Sequence, residues 1–69
     1  MFHAIRNVKT GEYFNKGKWV PDFDKAQRFE GAPEVVKVCA ALGLKDVEMV
    51  VRVDAERPDL RVPIPNPPE

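Results

Sequence analysis

Few side chains in this sequence are of a type that does chemistry, and none are spaced to do it together. Cys39 is the only cysteine, His3 the only histidine, and serine is absent. A nucleophile needs a base beside it, and His3 has no apparent partner; a surface strand position is expected for it. Cys39 falls on the apolar stripe of a predicted helix, away from the helix N-terminus that would lower a thiol pKa, so a buried, inert thiol is expected. One cysteine excludes a disulfide within the chain, and no Cys/His spacing suits a metal. Asp22 with Asp24, and Glu30 with Glu34, are the only paired carboxylates that invite an acid–base reading. That chemistry needs one carboxyl desolvated in a pocket. Asp22 and Asp24 instead flank a helix start, where capping explains them, and the EF-hand pattern is missing. No catalytic residue, metal ligand or cofactor is assigned, and the expectation is a protein that is not an enzyme.

Binding is the other chemistry on offer. Tyr13-Phe14-Asn15-Lys16-Gly17-Lys18-Trp19 interleaves aromatics with lysines, a pattern that stacks bases and holds phosphates when it lies on a sheet. Arg6, Tyr13, Lys16, Lys18 and Trp19 are the candidate nucleic-acid residues, provided strand parity puts them on one face. Against them stands a formal net charge of zero, with eleven basic and eleven acidic residues, where nucleic-acid binders usually carry a basic excess. Trp19 equally suits the edge of a small core, and that reading is preferred. Near the end, Pro65 to Pro68 spells a P-x-x-P of the kind that aromatic grooves read; a plain solvated tail is preferred there too.

These residues must be positioned by few elements. Alternation over Phe2 to Arg6, a turn at Lys9-Thr10-Gly11 and strand character from Glu12 predict a β-hairpin over residues 2 to 15. A second turn at residues 15 to 18 leads to a short strand, Lys18 to Val20, which Pro21 ends. Asp24 is the predicted cap of a single helical turn that ends near Gly31, with Ala26 and Phe29 on one face. A longer helix starts at Pro33: Val35, Val38, Cys39 and Leu42 repeat at i, i+3, i+4 and i+7, and Gly43 stops it. Val47, Met49, Val51 and Val53 then alternate as a strand, with Val50 apolar on its second face. The predicted fold is α+β, in the order β-β-(β)-α-α-β. A three- or four-stranded, mostly antiparallel sheet carries the main helix on one face. Expected core residues are Phe2 or Ile5, Phe14, Phe29, Val35, Cys39, Leu42, Val47, Met49 and Val51. Residues 1–53 form this single domain. Residues 54–69 hold five of the seven prolines and are expected to be a disordered tail, without a packed strand.

The run from Lys9-Thr10-Gly11-Glu12-Tyr13-Phe14 through Lys18-Trp19, Ala26-Gln27-Arg28-Phe29 and Cys39-Ala40 to the Val47 strand resembles small uncharacterised proteins of bacteria and their phages. The resemblance covers about three quarters of the chain. It implies a compact α+β fold and a prokaryotic or phage origin, and it transfers no functional residue.

Sixty-nine residues support one core of marginal stability. With disulfide and metal set aside, oligomerisation is the remaining compensation. No stretch has the length of a membrane span or the pattern of a signal peptide, so the cytoplasm is the expected location. The leading functional expectation is a non-enzymatic protein-interaction module that self-associates, motivated by the small core and by sheet edges with few visible guards. The alternative is a small nucleic-acid-binding accessory protein.

Overall fold

The computed structural model describes residues 2–54 and 56–65. The chain forms β1 (Phe2–Asn7), β2 (Tyr13–Asn15), β3 (Lys18–Val20), a 3-10 turn at Phe23–Lys25, α1 (Ala32–Leu42), β4 (Val47–Arg52) and β5 (Leu60–Pro63). All strand pairs are antiparallel, in the order β3-β2-β1-β4-β5. The class is the α+β expected. The details differ: five strands stand where three or four were predicted, and the short helix over residues 24 to 29 is only a 3-10 turn.

Two turns set the β1-β2-β3 meander. The Asn7 side-chain oxygen accepts from the N–H groups of Lys9 and Thr10 at 2.9 and 3.1 Å, a local turn of the kind Asn favours. Lys16 and Gly17, both at positive φ (47° and 87°), close a two-residue hairpin whose twist matches that of its strands. β1 and β2 then diverge, and the segment after the 3-10 turn fills the gap. Gln27 N–H donates to Phe14 O and Phe29 N–H to His3 O, both at 2.9 Å.

α1 starts one residue before the predicted Pro33. Its first turn is braced by Glu34, whose carboxylate accepts from Glu30 N–H at 3.0 Å, so this carboxylate pair has a structural task. Gly43 ends the helix in the left-handed region at φ 65°. Val35 and Cys39 bury their side chains with Ile5, Phe14, Phe29, Val47, Met49 and Val51 to make the core. Leu42, expected there, is 57% exposed; it lies beyond Cys39, the last buried residue of the helix. Phe2 also lies outside this core and turns to the opposite face, where its ring meets Phe23 at 5.2 Å.

The main correction concerns residues 60–63, placed by the sequence reading in a disordered tail. They pair with β4 from Val51↔Leu60 to Glu48↔Pro63. The physical reason is parity. Ile64 N–H donates back to Val47 O at 3.4 Å. Backbone groups of a strand alternate sides, so Leu60 and Val62 also face β4, while Arg61 and Pro63 face away. Pro63 therefore lacks a donor only where none is needed. Residues 66–69, and with them most of the Pro65 to Pro68 motif, lie outside the described residues.

Candidate functional site

Strand register sorts the candidate residues onto two faces. His3, Ile5 and Asn7 of β1, with Val47, Met49 and Val51 of β4, share the face that α1 covers. Phe2, Ala4 and Arg6, with Glu48, Val50 and Arg52, share the face opposite the helix. Arg6 lies opposite Tyr13, Tyr13 opposite Val20, and Asn15 opposite Lys18. Arg6, Tyr13 and Lys18 thus share the helix-free face.

Trp19 does not join them. It lies opposite Phe14, packs edge-on against that ring at 5.6 Å and rests on the core. Lys16 sits at the hairpin tip, its N–H bound to the Gln27 side chain at 2.8 Å. A shallow groove of ≈ 260 Å³ runs beside Asn15, Lys16, Lys18 and Val20. The five proposed nucleic-acid residues therefore do not form one surface.

The helix-free face is also occupied by its own side chains. Phe23 reaches Phe2 at 5.2 Å, Tyr13 at 5.1 Å and the Arg52 guanidinium at 3.7 Å. It must lie across the middle of the sheet, which accounts for the complete burial of Ala4 and Val50. Arg28 covers the Phe2 ring at 4.5 Å. Two carboxylates hold three of the arginines here: Arg6 binds Glu48 at 2.9 Å, Arg61 approaches the same carboxylate at 3.9 Å, and Arg52 forks onto Asp59 at 2.9 and 3.0 Å. That hydrogen bond from Arg52 holds the Asp59 carboxyl below its ordinary range. The Phe2 and Phe23 rings are thus each capped by a guanidinium group, and Arg6 and Arg52 are engaged by carboxylates.

Cys39 is buried, and its burial pushes the thiol pKa up. His3 is not the surface residue expected: the ring is half-buried and its Nδ1 has no hydrogen-bond partner. Asp22 and Asp24 are exposed at the 3-10 turn, where neither side chain caps it. Among the described residues, no three His, Cys, Asp or Glu side chains cluster closely enough to hold a metal ion, and no helix is long and apolar enough to cross a membrane.

The remaining feature is an apolar margin that the sequence reading missed. The sheet spans roughly 19 Å across its five strands, and one helix about 10 Å wide cannot cover it. β5 is left bare on the helix side. Leu60 and Val62 lie opposite Val51 and Met49, hence on the helix face, and are 58% and 44% exposed. Val36 of α1 is 53% exposed. Only Glu34 and Lys37 are charged among the eleven residues of α1, against 32% of the whole chain. Two signals in the sequence mark this region: the low charge of the helix, with Val36 off its buried stripe, and the Leu60-x-Val62 alternation. Compared with family models, with curated proteins and with solved structures, the chain matches none.

Proposed function

We propose that this protein is a non-enzymatic protein-interaction module whose docking surface is the apolar margin between α1 and β5. The observation that carries the reading is the grouping of Val36, Leu60 and Val62, all exposed, on the charge-poor side of the domain. Water-exposed apolar clusters of this kind mark interaction sites, and depletion of charge is the compositional sign of an interface centre. Strand addition at a free edge is the weaker route. Pro63 faces outward on β5. At the other edge, Phe14 O accepts from Gln27, so the backbone groups of Phe14 face away from β3 and those of Trp19 opposite it face outward, with Pro21 following directly on the strand's end. The β5 edge thus carries a proline where an added strand would seek a donor, and the β3 edge is cut short by one.

A photo-crosslinking residue at position 36 tests the surface in the protein's own cellular extract. The expected outcome is protein adducts from position 36 and none from position 18 on the helix-free face. Adducts to nucleic acid from position 18, with none from position 36, contradict it and return the alternative reading to first place.

A further inference from the structure

α1 runs in the direction of β1. It begins just after Phe29, which bridges His3 at the start of β1, and leads to Val47, the partner of Asn7 at its end. The backbone oxygens of His3 and Asn7, whose side chains lie on the helix face, accept from Phe29 and Gly11 on the β2 side. This fixes β4 and β5 on the other side. The right-handed turn of α1 then carries Val36 and Ala40 on the flank toward β5, and Val38 and Leu42 on the flank toward β2. Val36 and Ala40 of the helix therefore face Leu60 and Val62 of the strand across a shallow trough, floored by the buried Met49 and Val51.

We infer that this trough is the interface of a two-fold homodimer, with the α1 flank of one copy seated against the trough of the other. The inference rests on the interaction-module reading and names its partner. Three observations select a second copy. A two-fold contact requires a surface complementary to itself, and an uncharged apolar strip meets that condition where the arginine-rich opposite face does not. The net charge of zero raises no overall repulsion between copies. Ala40 and Gly43 are small residues beside Val36 on the approaching flank, so the helices can close there without displacing large side chains. The apolar area is small: Val36, Leu60 and Val62 together offer roughly 250 Å². That is the centre of an interface at the low end of specific size, so the dimer exchanges, dissociating at on the order of 10–100 µM.

Sedimentation equilibrium of the full chain from about 5 µM to about 1 mM tests it, on the wild type and on Val36→Lys, Val62→Glu and Val8→Lys. Val8 is as exposed as Val36 and lies beyond Asn7 in the β1–β2 turn, so it controls for loss of any exposed apolar residue. The expected result is a wild type moving from monomer to dimer mass. Val8→Lys should follow it, and both trough variants should stay monomeric with native amide spectra. Two trough variants, on different elements, keep the test readable if one fails to fold. A wild type that is monomeric at every concentration, or a dimer that survives both trough variants, overturns the homodimer. Crosslinks from position 36 to a different protein would then still uphold the wider reading, so the two failures are separable.

Discussion

His3 buries Nδ1 without a hydrogen-bond partner, the only such side-chain atom among the described residues. A buried polar atom left unpaired loses its hydration and gains nothing in return. His3→Leu is therefore expected to raise stability by about 1 kcal/mol, read as a higher urea midpoint at unchanged slope. A fall in midpoint would mean that the ring makes a contact the apolar side chain cannot replace. Cys39 was legible as buried from its helical stripe, and the structure agrees. His3 was not legible, because alternation over five residues sets parity without saying which face is covered. Trp19 was legible only in part. Its role at the edge of the core was the preferred reading, but nothing local shows that register turns it away from Tyr13 and Lys18.

At the scale of elements, β5 is the least secured part of the sheet, with every residue exposed. Besides its ladder to β4, it is held by Arg52 on Asp59 and by the Ile64 contact with the core. Asp59 has its carboxyl pKa lowered in the folded chain, chiefly by the hydrogen bond from Arg52; burial opposes this next in size, and the charges of Arg52 and Arg61 add smaller lowering effects. A depressed folded pKa contributes stability that is present above the unfolded value and lost as pH falls through the folded one. Amide exchange at Leu60 and Val62 is thus expected to accelerate as pH drops below about 4, after correction for intrinsic rates. In Asp59→Asn it should be fast already at neutral pH and lose that step. An unchanged step in Asp59→Asn would assign it to another carboxylate. α1 and β4 could be read directly, since a 3.6-residue stripe and a run of alternating valines are local signals. β5 could not: counting prolines suggests disorder, whereas its pairing depends on which side of a strand each proline faces. The 3-10 turn was overread as a helix because Asp24, Ala26 and Phe29 fit helical spacing. Ala26 and Phe29 are indeed buried, but on an extended segment that bonds to Phe14 and His3.

The whole molecule is asymmetric about its sheet. One face carries Phe23 with its aromatic and arginine neighbours, Arg6 and Arg52 each on a carboxylate. The other is covered by a single helix too narrow for five strands, leaving the α1–β5 trough. Self-association was the leading expectation from the small core and from sheet edges with few visible guards. The docking surface proposed above rests on a different feature: β5 carries an outward proline on its edge, while the exposed apolar groups Val36, Leu60 and Val62 lie on a face. That location was not legible in the sequence. It depends on strand order, on the presence of β5 and on the flank α1 turns toward it, all of which are long-range facts.

The most direct test of this account is a dilution series of amide NMR spectra on the uniformly labelled chain, from about 1 mM to about 50 µM at neutral pH. The account predicts concentration-dependent shifts at Val36, Ala40, Leu60 and Val62, with Arg6, Tyr13 and Lys18 unmoved. Shifts centred on Arg6, Tyr13 and Lys18 would contradict it and place the contact on the helix-free face.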